Sequence, residues 1–196
     1  MIVPTASSAL LLLLIAGVFI HFMQAGARTF RFDSGDAGPG AAIAQFSFLV
    51  TGVMATWGLG LRLPMRVQNQ AVALVVLVLA VSLYEWARHT IWGRRFGLAL
   101  SDRVPDALCD SGPYRHVRHP IYLSYLLAFL AVLIALPHWI TALGFLFNLV
   151  VCVVFARSDE RVLAGSALAA DYAAYRQRTG MFFPRLSRAA PGRQSP

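Results

Sequence analysis

The sequence contains no lysine, and all 17 of its basic residues are arginine. Charged residues make up only 13% of the 196 positions, against about 25% in soluble domains, while 58% of the residues are hydrophobic and the mean hydropathy is +0.62. This composition excludes an ordinary soluble domain and a disordered chain. The only two cysteines, Cys109 and Cys152, form at most one bridge, so a disulfide scaffold is excluded as well.

Sequence motifs for several other chemistries are also missing. The five histidines are scattered and neither cysteine has a partner at ligand spacing, so no metal site is predicted. The sequence has no Gly-x-Ser-x-Gly turn and no glycine-rich phosphate loop, which argues against a serine hydrolase and a nucleotide hydrolase. The arginines cluster between apolar runs, so we interpret them as determinants of membrane topology and predict no nucleic-acid partner.

Five apolar runs approach the roughly 20 residues that cross about 30 Å of hydrocarbon. They are Thr5–Met23, Ile43–Leu63, Ala71–Trp92, Pro120–Leu136 and Trp139–Ala156. Backbone polar groups in lipid must be satisfied within their own segment, so each run is predicted to be a helix. No arginine precedes the first run and no convincing cleavage site follows it, so we expect a retained helix. The predicted fold is an all-α integral membrane protein with about five transmembrane helices and a C-terminal interfacial helix.

The distribution of arginines predicts the orientation. Five arginines lie in residues 93–118 and seven from residue 157 onward, whereas the turn at Pro137 and His138 has none. The two rich segments flank one helical hairpin and share a side, which the positive-inside rule makes cytoplasmic. We therefore expect any active site formed by these segments to face the cytoplasm, in the inner or plasma membrane of a bacterium. We predict a single membrane domain over 1–196: an N-terminal hairpin (1–70), a core (71–186) and a flexible tail (187–196).

The third apolar run carries an ionisable cluster near its end. Glu85 lies three residues before Arg88 and four before His89, so the three side chains share one helical face. An ionisable residue at this depth in a membrane helix indicates function, while an ion pair between Glu85 and Arg88 near the membrane surface explains the pattern equally well.

A denser pattern precedes the fourth run. Gly112 and Pro113 indicate a turn, and Pro120 suits the first position of a helix, where its missing N–H costs nothing. The start of that helix therefore gathers aromatic and basic residues at the cytoplasmic surface. Its free N–H groups and positive dipole favour a carboxylate or another anion. The residues gathered there are Tyr114, Arg115, Arg118, His119 and Tyr122.

The fifth run continues into an acidic pair. Asp159 and Glu160 are about 100° apart on a helix, so only one of them is expected to face a given site directly. Such a pair suits an amino or cationic group, although pairing with Arg157 and Arg161 on a solvated helix is the better interpretation of this segment taken alone. The spacing of Tyr172 and Tyr175 predicts a docked or interfacial helix after it.

Taken together, these motifs resemble the isoprenylcysteine carboxyl methyltransferase and phospholipid methyltransferase superfamily. The similarity covers roughly 84–186 and includes Arg118-His119-Pro120-x-Tyr122, a helical hairpin, Asp159-Glu160 and Tyr172-x-x-Tyr175. The resemblance implies a membrane methyltransferase that binds S-adenosylmethionine between its last two membrane helices. It implies that Asp159 holds the amino group of the cofactor, and Arg157 and Glu160 are candidate catalytic residues. The other implied cofactor-binding residues are Asp106, Leu108, Cys109, Tyr114, His119, Pro120, Ile121 and Tyr122.

The sequence departs from the superfamily pattern at three points. The acid pair is usually Glu-Glu, and Asp159 is one methylene shorter. Leu168-Ala169 replaces the usual Phe-Gly. Phe155 stands where the isoprenylcysteine branch has the arginine that binds the substrate carboxylate, which argues against a prenylcysteine carboxylate as the acceptor.

We therefore predict S-adenosylmethionine-dependent methyl transfer to a lipophilic or membrane-embedded acceptor, with membrane lipids as partners and no metal. One alternative is an N-methyltransferase for phospholipid head groups, with Glu160 or Glu85 as the base. A thiol or another small lipophilic acceptor is a further alternative. A third alternative is a non-catalytic transport or interaction protein that keeps the fold of the superfamily.

Overall fold

The computed structural model describes residues 6–29, 65–92 and 107–185, which form five α-helices. A short 3-10 helix at Gly112–Arg115 precedes the third of them, and the one β contact in these segments is an isolated bridge between Val117 and Gly180. The all-α prediction is confirmed. The helices are α1 (Ala6–Thr29), α2 (Val67–Ile91), α3 (Pro120–Ala135), α4 (Trp139–Ala164) and α5 (Ala169–Arg178).

Three of the described helices are long and apolar enough to cross a membrane, namely Ala6–Gly26 in α1, all of α2 and all of α4. This finding confirms an integral membrane protein. The apolar helix α3 has 16 residues and a length of about 24 Å, which is less than the roughly 30 Å of a hydrocarbon core. The predicted span at Ile43–Leu63 lies outside the described residues.

Local sequence signals fix the ends of the α3–α4 hairpin. Pro120 occupies the first turn of α3, as predicted. At the start of α4, the backbone N–H of Ile140 donates to His138 Nδ1 (3.3 Å), and the N–H of His138 donates to Thr141 Oγ1 (3.2 Å). This reciprocal cap satisfies N–H groups that the first helical turn leaves without partners. Only three residues, 136–138, separate the two helices, which makes them antiparallel neighbours.

Helices α1 and α2 run parallel. Gln70 Nε2 donates to Ser8 Oγ (3.1 Å) near their starts, and the Tyr84 hydroxyl donates to the carbonyl oxygen of Phe22 (3.2 Å) near their ends. Both pairs have the same sequence separation of 62 residues. A parallel pair is the arrangement expected if one further span lies between the two helices in the chain.

The ends of α1, α2 and α4 and the start of α3 lie at the same end of the bundle, which we call the basic end. The ring of Tyr125 near the start of α3 lies 5.4 Å from that of Phe22 and 5.8 Å from that of Tyr84. Contacts between the start of α3 and the last turns of α4 complete this end. The prediction that the two arginine-rich segments share an end is therefore confirmed for the arginines that the structure describes.

The chain after α5 returns to the start of α3. The N–H of Arg118 donates to the carbonyl oxygen of Gly180 (2.8 Å), and the N–H of His119 donates to that of Met181 (3.2 Å). A side chain at Gly180 would overlap the carbonyl of Phe183, so only glycine fits there. We call residues 179–182 the C-terminal strap.

Candidate active site

The candidate site begins with a buried carboxylate at the end of α4. Glu160 Oε1 accepts a hydrogen bond from Arg118 Nε (2.8 Å) and lies 3.2 Å from His119 Nε2. The side chains of all three residues are at most 10% exposed. Arg118 and Glu160 are 42 residues apart in sequence, so this pair joins the start of α3 to the end of α4. The solvated-helix interpretation required Glu160 to pair with an arginine of its own helix. In the structure Glu160 pairs instead with Arg118, which lies just before α3.

The Arg118 guanidinium also contacts the C-terminal strap. Its NH1 group donates to the carbonyl oxygen of Thr179 (2.5 Å), while its backbone N–H bonds Gly180. One side chain therefore connects three segments of the chain. A planar guanidinium with five fixed donors suits such a junction. Arg118 stands in the motif that the sequence singled out, but its role at this junction was not predicted.

The second acid of the pair faces the same helix. The hydroxyl of Tyr122 donates to Asp159 Oδ2 at 2.8 Å, one turn into α3. Asp159 is half-buried, so its carboxylate is oriented by the tyrosine and not fully enclosed. The two acids meet different parts of this region. Glu160 contacts Arg118 and His119 just before α3, whereas Asp159 contacts Tyr122 in the first turn of the helix. Which of the two acids faces a bound ligand stays a prediction.

Aromatic rings surround these polar groups. The Tyr122 ring stacks on the His119 imidazole with a centroid distance of 5.6 Å and an interplanar angle of 19°. Phe155, buried on α4, lies 6.3 Å from the Tyr122 ring, and Phe182 of the strap lies 6.3 Å from His119. Aromatic faces attract cations, so the site combines carboxylates with a surface suited to a positively charged group.

Helix α5 closes the site through its two tyrosines, as its predicted docking requires. The hydroxyl of Tyr175 donates to the carbonyl oxygen of Tyr114 (2.6 Å), which links α5 to the 3-10 helix. Tyr172 is 3% exposed, and its hydroxyl has no hydrogen-bond partner among the described residues. Burial and the neighbouring Glu160 carboxylate both raise the pKa of Tyr172, so it remains a neutral donor.

The structure places most of the predicted site residues at the basic end. Cys109, Tyr114, Pro120 and Ile121 are buried and Leu108 is half-buried, whereas Arg157 is exposed on α4. Asp106 lies outside the described residues. The geometry brings together His119, Tyr122, Asp159 and Glu160, and it does not bring Arg157 to them. The cofactor-binding and catalytic roles of these residues stay predictions.

A separate ionic cluster joins α1 to α2. Arg88 Nε donates to Glu85 Oε2 (3.0 Å), and His89 Nε2 lies 3.5 Å from the same oxygen, as the helical spacing predicts. His21 of α1, which the sequence did not connect with this cluster, contacts Glu85 Oε1 at 2.7 Å. Within the described segments, no group of three histidine, cysteine or acidic side chains is arranged to hold a metal ion.

The known proteins that this chain resembles match the region that contains the candidate site. A protein of Cupriavidus metallidurans, the cobalt-zinc-cadmium resistance protein CzcN, is 35% identical over 91 residues, which is 46% of this chain. The aligned segment spans 41% of the length of that relative. Residues 71–165 match the model of the isoprenylcysteine carboxyl methyltransferase (ICMT) family, and this segment contains α3, α4 and both acids. This matching segment makes up a little under half of the chain, and it is similar to the isoprenylcysteine carboxyl methyltransferase family of membrane proteins.

Proposed function

We propose that the protein transfers the methyl group of S-adenosylmethionine to a lipophilic or membrane-embedded acceptor at the basic end of the bundle. The observation that carries this proposal is the meeting of α3 and α4 within the segment that matches the family. There, Tyr122 bonds Asp159 and His119 contacts Glu160. The cytoplasmic position of this end follows from the arginine distribution and belongs to the same proposal.

The described residues fit this cofactor. The half-buried Asp159 carboxylate suits an ammonium group, and the aromatic face of Tyr122 suits a sulfonium. The first turn of α3 offers backbone N–H groups at Ile121 and Tyr122 and a positive dipole, which suit a carboxylate. The buried hydroxyl of Tyr172 provides one more donor without a described partner. When bound, S-adenosylmethionine supplies an electrophilic methyl group.

The protein contributes positioning and exclusion of water. The buried Arg118–Glu160 pair fixes the start of α3 against α4, so that Tyr122 and His119 keep their orientation. Phe155, Phe182 and the α5 tyrosines shield the site from solvent, which strengthens the interactions inside it. An acceptor with an apolar tail reaches this site through the membrane, because the helices that form it are apolar toward lipid.

Binding of the cofactor is the first test. We expect titration calorimetry with detergent-purified protein to show binding of S-adenosylmethionine, and Asp159→Asn to weaken it at least tenfold because the ammonium loses its counter-charge. Asp171→Asn, which changes an exposed acid on α5, is the matched control and leaves affinity unchanged. A folded wild-type protein that binds nothing, with and without added lipid, overturns the proposal.

A labelled methyl group then identifies the acceptor. Incubation with methyl-labelled S-adenosylmethionine and a total lipid extract is expected to label one lipid class. The amine of a phospholipid head group is the second candidate acceptor, because the apolar Phe155 side chain lies beside Tyr122 and its Asp159 contact. An apolar side chain at this position disfavours a carboxylate as the acceptor. No label in any lipid fraction, despite cofactor binding, favours the non-catalytic alternative.

The name of the Cupriavidus metallidurans relative refers to resistance to cobalt, zinc and cadmium. That name describes the relative, and the methyl transfer proposed here needs no metal ion. A methyltransferase that acts on lipids is compatible with a resistance phenotype, since lipid composition affects the permeability of a membrane.

A further inference from the structure

We propose that a pocket between the end of α4 and one flank of α5 binds the phosphate head group of an anionic phospholipid. This binding site lies beside the candidate active site and does not depend on the proposed methyl transfer. The pocket has a volume of about 310 Å³ and is formed by α4, α5 and the chain that follows the strap. Six lining residues define its chemistry: Ala164, Ala169, Tyr172, Ala173, Arg176 and Arg185.

The pocket occupies a flank of α5 that the candidate site does not use. At about 100° per residue, Ala169, Ala173 and Arg176 lie within about 60° of one another around the helix. The middle of this flank is about 100° from the direction of the two buried tyrosines, which face the candidate site. Asp171, the acid of this helix, lies on the opposite flank. The pocket side of α5 is therefore basic and has no acid of its own.

Two arginines line this pocket without an acidic partner. Arg176 is exposed and forms no ion pair within the described part of the chain. Arg185 donates from NH1 to the carbonyl oxygen of Gln177 (2.9 Å) and pairs with no acid among the described residues. On the opposite flank, by contrast, Arg178 pairs with Asp110 at 2.7 Å. Two guanidinium groups beside one cavity suit a phosphate, whose oxygens accept hydrogen bonds from both.

The other walls of the pocket are apolar, which favours a phosphate that carries an apolar group. They consist of the ring of Tyr172 and the methyl groups of three alanines. A free inorganic anion gains nothing from such walls, whereas the glycerol backbone of a lipid buries apolar surface against them. Ligand pockets range from about 300 to 1,000 Å³, so this small pocket holds a head group and not the acyl chains. The chains must lie outside it, along a surface that faces the membrane.

The end of α4 lies at the depth of the lipid head groups. Helix α4 has 26 residues and a length of about 39 Å, whereas the hydrocarbon core measures about 30 Å and the bilayer with its head groups about 40 to 45 Å. The last turns of α4 therefore extend into the head-group layer. Val150, Arg157 and Ala164 are exposed and follow one another at seven-residue spacing, so they share one face of α4. This face leads from apolar surface to the pocket, as the path of one lipid molecule requires.

The chain after the strap adds an apolar anchor beside the pocket. Phe183 is 79% exposed and lies two residues before Arg185. An exposed aromatic ring next to a basic residue is typical of segments at the membrane–water interface, where the ring lies among lipids and the charge meets phosphates. A bound lipid thus connects the end of α4, the flank of α5 and the segment after the strap.

Four soluble probes test the class of ligand: dioctanoyl phosphatidylglycerol, dioctanoyl phosphatidylcholine, dioctanoylglycerol and inorganic phosphate. Each is titrated into the full chain in an uncharged detergent, and binding is measured by calorimetry and by the rise in unfolding temperature. We expect phosphatidylglycerol to bind and the others to bind at least tenfold more weakly. The reasons are the added cation of phosphatidylcholine, the missing phosphate of dioctanoylglycerol and the missing apolar part of inorganic phosphate.

The probes also define failure of the proposal. If phosphatidylcholine or dioctanoylglycerol binds as tightly as phosphatidylglycerol, the protein contacts lipid without recognising its charge. If inorganic phosphate binds as tightly, the pocket is a site for soluble anions and the assignment to a lipid is wrong. No binding of phosphatidylglycerol to the folded protein overturns the proposal outright.

Variants locate the bound lipid. Arg176→Gln and Arg185→Gln are each expected to weaken phosphatidylglycerol binding at least tenfold, and Arg176→Lys is expected to bind better than Arg176→Gln because it keeps the charge. Ala173→Phe fills the pocket without a change of charge and is expected to weaken binding at least tenfold. Arg161→Gln is the matched control: it removes the same charge from an exposed position of α4 outside the pocket, and Kd is expected to change less than threefold.

Each contrary result has a distinct meaning. If Arg161→Gln weakens binding as much as Arg176→Gln, the basic surface attracts anionic lipids by charge alone and the pocket is not the site. If Ala173→Phe binds like the wild-type protein, the lipid lies elsewhere. The exchanged side chains are exposed, so the unfolding temperature without lipid is expected to stay at the wild-type value, which confirms that the variants fold. These titrations contain no S-adenosylmethionine, so their failure leaves the proposed function intact.

Discussion

The molecule contains two clusters built from the same residue types, glutamate, arginine and histidine, and they differ in burial. In the α1–α2 cluster the side chains of Glu85 and His21 are 26% and 47% exposed. In the α3–α4 cluster those of Glu160 and His119 are 10% and 9% exposed. Glu85 pairs with an arginine on its own helix, whereas Glu160 pairs with one that lies 42 residues away.

This difference shows what each cluster can do. An exposed pair formed by neighbours on one helix contributes little to stability and changes easily. A buried pair between distant segments is sensitive to the loss of either partner, because the remaining charge has no water to solvate it. The α1–α2 cluster lies partly outside the segment that matches the family, since His21 precedes residue 71. The proposed chemistry therefore belongs to the buried cluster, while the more exposed one links α1 to α2.

The largest expected effect comes from breaking the buried pair. Arg118→Met is expected to lower the free energy of unfolding by about 3 to 5 kcal/mol, because Glu160 remains buried without its counter-ion. Thermal unfolding in detergent, followed by circular dichroism, measures the loss. The double variant Arg118→Met/Glu160→Met removes both charges and is expected to recover most of the stability. If it is no better than the single variant, packing and not charge sets the cost.

The second prediction disturbs the strap beside the buried cluster. Gly180→Ala places a methyl group against the carbonyl of Phe183, which forces the strap to shift at a cost of about 1 to 3 kcal/mol. Cofactor affinity is expected to fall as well, since the carbonyls of Gly180 and Met181 hold the start of α3. Unchanged affinity in calorimetry would mean that the strap does not shape the site.

The third prediction concerns the exposed cluster. Glu85→Gln keeps hydrogen-bond acceptor capacity and removes the charge, so the free energy of unfolding is expected to change by about 1 kcal/mol or less. The affinity for S-adenosylmethionine is expected to stay within twofold of wild type. A tenfold loss of methyl transfer in this variant, with normal cofactor binding, would reverse our assignment and make Glu85 the base.

The smallest effect is expected at His21. His21→Gln retains a donor for Glu85 across the α1–α2 contact, so unfolding temperature and activity are both expected to remain at wild-type values. His21→Ala is the comparison variant and tests whether the contact itself contributes. A marked loss of stability in both variants would show that the imidazole itself is required for the contact between the two helices.

The sequence predicted the helices well because their signals are local. Apolar length defined α1, α2 and α4, Pro120 marked the start of α3, and the tyrosine spacing indicated α5. The i, i+3 pair of Glu85 and Arg88 was also evident, since helical geometry alone brings such residues together.

The contacts of the site could not be predicted in the same way. The Arg118–Glu160 pair depends on how the α3–α4 hairpin packs, and Arg157 and Arg161 were nearer candidates in sequence. The contact of His21 with Glu85 likewise depends on the parallel packing of α1 and α2. The contacts of the strap are harder still to predict, because backbone carbonyls make them and no residue type in the sequence indicates such contacts. Arg118 belongs to the motif found in the sequence, but the resemblance implies cofactor binding for its neighbour His119 and not for Arg118.

The strap also determines when the site is completed during biosynthesis. The carbonyls that bind the N–H groups of Arg118 and His119 belong to residues 180 and 181. A ribosome translates α3 and α4 before it reaches these residues, so the nascent hairpin first lacks the backbone partners of Arg118 and His119. The proposed site therefore takes its final shape only after residues 180 and 181 have been synthesised and have folded back to the start of α3.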